Sequence, residues 1–262
     1  MENKTENFLK KFHERFPGCT SACMAEGKTE TGLSSYEILA EEVNKPGVVL
    51  DLACGDGFLL SLLSPGSRRI GLDMSEAELK LAGQRPGLEL ILGNGREIPL
   101  PSDSVDYVTC HMAFMLMEDV HEVVEEIRRV LRPGGIFAAV IPHPAPATRE
   151  PDAALPVYMG LRGRALAEEN LQPSKIGDIA TKSEEGIKDL LSGFGETKFR
   201  ELTVKYEMSL EEAVRYFSLL YSPGQLSAAG FERFKKDLRA AFSEMPEPIL
   251  THMPILCWSA VK

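Results

Sequence analysis

The segment Val48-Val49-Leu50-Asp51-Leu52-Ala53-Cys54-Gly55-Asp56-Gly57 leaves the fewest folds open to this chain. Its uninterrupted Val-Val-Leu start reads as a strand buried on both faces, the habit of parallel sheets covered by helices. The strand stops at a carboxylate, Asp51, and enters a turn whose glycines, Gly55 and Gly57, are separated by one residue. Glycine lets the backbone approach a ligand without a Cβ in the way. The helix that follows aims free N–H groups at the ligand's polar end. A ligand-binding turn at the end of a parallel strand is therefore expected.

The chain on either side repeats the alternation that such a sheet requires. Strands are expected at 47–52, 69–73, 88–92, 105–110 and 136–141, with amphipathic helices between them. Ser34 with Glu37 and Ser75 with Glu78 have the spacing of capping boxes, and a helix from Asp119, with Glu122 three residues on, runs to Leu131. Upstream lie a short helix at 6–16 and a polar loop at 17–32. Downstream come a proline-rich exit, Pro142-His143-Pro144-Ala145-Pro146, a partly helical stretch at 152–181 and a helix at 184–191. A strand at 198–206, a helix capped by Ser209 with Glu212, a helix at 227–242 and a strand at 254–261 complete the chain. The two late helices are expected to cap the C-terminal edge of the sheet.

One domain spanning 1–262 is the expected organisation: N-terminal helices or lid at 1–45, a cofactor-binding core at 46–142, an insertion and helix at 143–196, and C-terminal strands at 197–262 with cap helices at 209–245. With 44% hydrophobic and 26% charged residues, the chain has the composition of a globular protein rather than a disordered one. Thirty-nine acidic against 29 basic residues give a net charge of -10, which repels a phosphate backbone, so no nucleic acid is expected as partner. The apolar runs are far shorter than a membrane span, and residues 1–11 are too polar for a secretory signal, so no membrane and a cytoplasmic location are expected. Cys19, Cys23, Cys54, Cys110 and Cys257 are odd in number and scattered, which argues against a disulfide framework. Cys19 and Cys23 lie near His13, but no second cluster completes a four-ligand zinc set, so no metal is expected. Monomer and homodimer both remain open.

Two cofactor classes compete for the glycine turn. Dinucleotide enzymes use three glycines, yet the third position here is Leu60. A carboxylate such as Asp51 is also unfavourable beside a pyrophosphate but suits a cofactor carrying a cationic amino group. A zwitterionic ligand fits the turn better than a dinucleotide.

Leu50-Asp51-Leu52-Ala53-Cys54-Gly55-Asp56-Gly57 resembles motif I of class I S-adenosylmethionine-dependent methyltransferases. Ile70-Gly71-Leu72-Asp73-Met74-Ser75 resembles the family's second-strand motif, whose terminal acid holds the ribose hydroxyls, a role the resemblance passes to Asp73. Gly93-Asn94-Gly95-Arg96 is similar to the stretch in which an Asp meets the adenine amino group; Asn94 replaces that Asp here, and its carbonyl can still accept from the amino donor. Val105-Asp106-Tyr107-Val108 and Leu131-Arg132-Pro133-Gly134-Gly135 resemble the fourth strand and the structural turn entering the fifth. The nearest group is the ubiquinone-biosynthesis-like (methyltransferase type 11) enzymes of small molecules.

The resemblance implies an α/β fold: a doubly wound, Rossmann-like, seven-stranded, mostly parallel sheet with its last strand antiparallel, plus helical cap insertions. It also implies S-adenosyl-L-methionine as cofactor, held by Asp51, Ala53, Cys54, Gly55, Gly57, Asp73, Met74, Asn94, Gly95 and His111, and a small-molecule substrate methylated at O, N or C.

Methyl transfer draws most of its acceleration from positioning two bound molecules, so few catalytic residues are needed. His111, just after the fourth strand, is the first candidate base, and it could equally pack against the cofactor. His143, held between two prolines at the end of the fifth strand, is the second. The run Met112-Ala113-Phe114-Met115-Leu116-Met117 offers a soft apolar wall, or plain core packing. Tyr36 is a candidate lid residue, and Arg162 and Arg164 could meet an acidic substrate, although solvated surface charge accounts for them as well. The alternatives are an S-adenosylmethionine-binding protein with a regulatory or non-methylating role and a dinucleotide oxidoreductase. Net charge and the absence of a recognition module speak against a macromolecular substrate.

Overall fold

A computed structural model of the protein describes residues 4–144, 152–173 and 176–262. Seven strands form one sheet in the order β3-β2-β1-β4-β5-β7-β6. β1 (Val48–Leu52) pairs in parallel with β2 (Arg68–Asp73) and β4 (Val105–His111), β2 pairs with β3 (Leu88–Leu92), and β4 pairs with β5 (Leu131–Pro142). β7 (Ile249–Val261) runs antiparallel to both β5 and β6 (Thr197–Met208), so the reversed strand is the last in the chain, as expected. Strand order reverses between β1 and β4, which opens a crevice beyond their C-terminal ends where ligands of open α/β sheets sit.

The two faces of the sheet carry different helices. Phe137, Ala139 and Ile141 of β5 point to one face, where Val123 and Ile127 of α6 (Val120–Val130) and Ile187 of α8 (Glu184–Leu190) cover them. Ala138 and Val140 point to the other, beneath α3 (Ser35–Glu42), α7 (Ala154–Glu168), α9 (Leu210–Ser218) and α10 (Ala228–Phe242). This alternation along one strand is the period-two pattern of a doubly covered sheet. Each fully buried Phe or Leu contributes about 1.5–3 kcal/mol. Phe137 to Ala would therefore cost about 3–5 kcal/mol.

Several local features differ from the sequence expectation. The loop expected at 17–32 contains a helix, α2 (Cys19–Met24), besides the first helix α1 (Lys4–Arg15). Six residues are too few to show a periodicity in sequence. Burial of Cys19 and Cys23, with packing of α2 on α9, holds it in place. β6 and β7 extend beyond their expected ends and pair from Thr197↔Ala260 to Met208↔Ile249. α9 and α10 are inserted between these strands and pack together and on α7 and α2, and the connection between them carries Tyr221 to the C-terminal edge of the sheet.

Of the proline-rich exit, Ala145 and Pro146 lie outside the described residues, as do residues 174–175 of the stretch expected to be partly helical. The rest of that stretch contains α7 and a 3-10 turn at Ile179–Lys182. All five cysteines are buried and free. Among the described residues no helix is long and apolar enough to cross a membrane.

The caps separate structure from function. Ser34 with Glu37 and Ser209 with Glu212 close full capping boxes. Ser75 accepts from the Glu78 N–H, but the expected return bond is missing from α5 (Glu76–Ala82). Asp73 Oδ1 takes the Ser75 N–H instead, at 2.8 Å, and the Glu78 carboxylate turns away to accept from the Gly18 N–H at 3.0 Å. Asp119 likewise makes no side-chain cap; its carboxylate accepts from Arg96 at 2.9 Å.

Candidate functional site

The C-terminal ends of β1, β2, β3 and β4 converge on an open cavity of about 1080 Å³ including its mouth. Asp51, Ala53, Cys54, Gly55, Asp73, Met74, Asn94, Gly95 and His111 all line it. Gly57 does not. It starts α4 (Phe58–Leu62) with φ +73°, and a Cβ there would stand 2.8 Å from Leu88 Cδ1. Its glycine therefore serves helix-to-strand packing rather than the cavity wall. Ala53 at φ 57° and Met112 at φ 52° hold left-handed backbone without being glycine, a strain that concentrates at functional sites.

Three buried carboxylates line the cavity: Asp51, Asp73 and Glu78. Asp73 accepts the Gly55 N–H through Oδ2 at 2.9 Å and the Ser75 N–H through Oδ1, so it pins the glycine turn while each oxygen keeps a lone pair. Burial raises its pKa above the ordinary carboxylate value against those two bonds. Asp51 accepts from Thr109 Oγ1 at 2.8 Å. Burial pushes it up to about 7, with the nearby charges of Asp73 and Asp56 adding to the rise. A carboxylate held this high gains from any cation placed beside it. Asp56 is matched by Arg85, Glu78 by His13 and Glu6 by Arg96, each at 2.7 Å, so Asp51 and Asp73 are the buried lining acids that have no ion pair among the described residues. That donor set suits a cationic nucleoside and repels a pyrophosphate.

Asn94 donates from Nδ2 to Glu6 Oε1 at 3.0 Å and accepts the Arg96 N–H through Oδ1 at 3.0 Å, leaving one lone pair on that oxygen. Glu6 also meets Arg96 at 2.7 Å. These contacts lay α1 over the cavity, where Leu9, Lys10 and His13 form its roof.

His111 is fully enclosed. Its Nε2 lies 2.9 Å from Ser35 Oγ, its ring stacks on Tyr36 with centroids 3.6 Å apart, and its Nδ1 has no hydrogen-bond partner among the described residues. Burial lowers it to about 3, so the imidazole is neutral and a weak proton acceptor. A buried ring nitrogen left unpaired in the wall of a cavity is free to bond a ligand or water there.

A second cavity of about 1050 Å³, including its mouth, adjoins the first through shared Thr20, Met112 and Tyr221. His143 lines this one and not the first, with Nε2 3.4 Å from Glu201. His143, Glu184 and Glu201 bring ligand atoms within 4.8 Å of one another. The methionine-rich run divides: Ala113, Leu116 and Met117 face the first cavity, Met115 the second, and Phe114 the core. Tyr36 is buried and lines the first cavity, and Arg162 and Arg164 line neither.

Sequence reasoning missed Glu78, His13 and Tyr221. Glu78 Oε1 lies 2.7 Å from His13 Nδ1, and His13 Nε2 lies 3.3 Å from Tyr221 Oη. Glu78 read as a cap, His13 only as a neighbour of two cysteines. A sequence signal was present for Glu78 alone: Asp73, two residues before Ser75, can take the N–H that a capping glutamate would otherwise accept.

Residues 50–139 match the family model of the methyltransferase domain. A demethylmenaquinone methyltransferase of Listeria welshimeri is 35% identical over 108 residues, which cover 37% of this chain and 46% of that protein. A protein of Mycolicibacterium smegmatis named "Probable S-adenosylmethionine-dependent methyltransferase" is 30% identical over 167 residues, 63% of this chain and 62% of the relative. The chain thus spans less than two thirds of either relative's length. Among solved structures, the YcgJ protein of Bacillus subtilis superposes with a TM-score of 0.59 at 20% identity, over 87% of this chain and 97% of that one, a likeness of fold.

Proposed function

We propose that this chain is a class I S-adenosylmethionine-dependent methyltransferase that transfers a methyl group to a small molecule bound in the second cavity. One observation carries the reading: the buried carboxylates Asp51 and Asp73 line a cavity at the point where strand order reverses, and that cavity shares Thr20, Met112 and Tyr221 with a second, apolar one.

In this reading Asp51 faces the cationic end of the cofactor, Asp73 takes the ribose hydroxyls, and Asn94 meets the adenine amino group with its remaining lone pair. When bound, the cofactor supplies an electrophilic methyl carbon: the acceptor's lone pair bonds to it while the C–S electron pair returns to sulfur. His111, neutral and stacked on Tyr36, shapes the floor. α1 excludes water from above. Positioning of this kind accounts for about 7–11 kcal/mol of barrier lowering without a dedicated base.

Incubation with a metabolite extract and methyl-labelled S-adenosylmethionine tests this. The expected result is a labelled small molecule formed by the wild type and not by Asp51→Asn. Cofactor binding without any labelled product would support the regulatory, non-methylating alternative.

A further inference from the structure

We propose that Tyr221, backed by His13 and Glu78, receives the reacting oxygen of the methyl acceptor, and that the acceptor is an apolar molecule bound as the oxyanion of a weakly acidic hydroxyl. The proposal rests on the methyltransferase reading above, because it assumes that donor and acceptor meet where the two cavities join.

Three residues, Thr20, Met112 and Tyr221, are common to both cavities, so they border the place where a methyl group would pass. Of these, Tyr221 is backed by a hydrogen-bonded relay. Glu78 is buried, accepts the Gly18 N–H through both oxygens, and lies 2.7 Å from His13 Nδ1. Nε2 of the same ring lies 3.3 Å from the tyrosine oxygen. The ring of Tyr221 is fixed against Phe12, with centroids 4.7 Å apart. His13 and Tyr221 both fall outside residues 50–139, so the matched family domain does not supply them.

The relay runs in one direction. The groups facing His13 are Cys19, Glu78, Tyr221 and, further off, Asp73. Burial works against charge on His13, but hydrogen bonds with the Cys19 side chain and the Glu78 carboxylate outweigh it and hold the imidazole at about 10. At neutral pH both ring nitrogens therefore carry hydrogens. Nδ1–H donates to Glu78, and Nε2–H donates to the Tyr221 oxygen. Burial raises the Tyr221 hydroxyl above its ordinary pKa, so it keeps its proton and offers it to a group in the neck. A chain of donors ending in an O–H stabilises an anion and is poorly suited to remove a proton.

The second cavity defines the rest of the acceptor. Phe12, Met24, Met115, Phe217 and Leu220 make its wall apolar, and among the described residues no Asp, Glu, Lys or Arg lines it. An apolar body with its negative charge confined to the reacting oxygen fits both parts. The hydroxyl proton leaves to solvent on binding. The oxygen lone pair then bonds to the methyl carbon and the C–S pair returns to sulfur, so anion and sulfonium become two neutral groups and no base is required.

The test uses 4-nitrophenol as probe, whose phenolate is coloured and whose phenol is not, with the full chain saturated with S-adenosylhomocysteine. The bound phenolate should be favoured over the phenol by about 10- to 100-fold, which lowers the apparent pKa of the bound probe by about one to two units. Tyr221→Phe, which keeps the ring packing, should lose most of that shift, and His13→Gln a large part. An unshifted or raised probe pKa in the wild type, the same shift in Tyr221→Phe, or no probe binding at millimolar concentration would overturn the proposal. Calorimetry with S-adenosylhomocysteine keeps the two readings apart. If that nucleoside binds and the probe does not shift, this inference alone fails; if it does not bind, the methyltransferase reading fails and this one with it.

Discussion

The imidazole of His111 lies face to face with the phenol ring of Tyr36, 3.6 Å between centroids and 19° from parallel, while its Nε2 meets Ser35. One short stretch at the start of α3 thus holds the end of β4 at the wall of the first cavity. A histidine so placed is a wall. His111→Ala should remove the stack and leave the buried Ser35 hydroxyl unpaired, costing about 2–4 kcal/mol of stability and weakening cofactor binding. Thermal denaturation and S-adenosylhomocysteine titration check this. Unchanged affinity with reduced turnover would instead return His111 to the role of base.

Asp73 joins the glycine turn to the next helix by accepting from Gly55 and Ser75. Asp73→Ala should weaken cofactor affinity by about 1.5–3 kcal/mol, roughly 10- to 100-fold, by removing a charged acceptor from both the ligand and the turn. Calorimetric titration of the variant against the wild type reads this directly, and equal affinities would contradict it.

Asp51 gives a pH dependence with a defined sign. Its folded pKa of about 7 is above the ordinary value of 3.8, so between these values the unfolded chain has released a proton that the folded chain still holds. Stability of the ligand-free protein therefore falls as pH rises through that window and is lowest above it, by up to about 4 kcal/mol. Asp51→Asn, which keeps an oxygen for Thr109, should raise the ligand-free Tm around pH 8 and change it little near pH 4. Equal gains at both pH values would contradict the assignment. In the wild type a cationic cofactor should bind more weakly below about pH 7, where Asp51 must lose a proton to receive it.

α1 roofs the cavity through Glu6, which meets both Asn94 and Arg96. These partly exposed contacts near the start of the helix are each worth less than about 1 kcal/mol, whereas Leu9, Phe12 and the His13–Glu78 pair bury the rest of it, so opening without ligand should begin at the first turns. Hydrogen exchange should show the α1 amides slowing on addition of S-adenosylhomocysteine, with little change in α7. Equal protection with and without ligand would mean that α1 is not a lid.

The sheet was legible because each strand from β1 to β4 ends in a recognisable change, from a β-branched or apolar run to Asp, Asn-Gly or His. β3 matches its expected bounds, and the chain order Asp51, Asp73, Asn94, His111 reappears as one cavity wall. α2 was illegible because six residues carry no period. The Glu78–His13–Tyr221 relay was illegible for another reason: its members are 65 and 208 positions apart, and only folding of α1 and the cap onto the sheet edge brings them together. Gly57 shows the converse error. Its spacing from Gly55 suggests a ligand contact, whereas its left-handed φ of +73°, with Leu88 and Ala82 crowding the Cβ position, is what favours glycine there.

Calorimetric titration of the wild-type chain with S-adenosylmethionine, repeated in the presence of nicotinamide adenine dinucleotide, bears most directly on the whole account. Saturable binding of one cofactor per chain, undisturbed by the dinucleotide, is the predicted result. No saturable binding, or displacement by the dinucleotide, would contradict it.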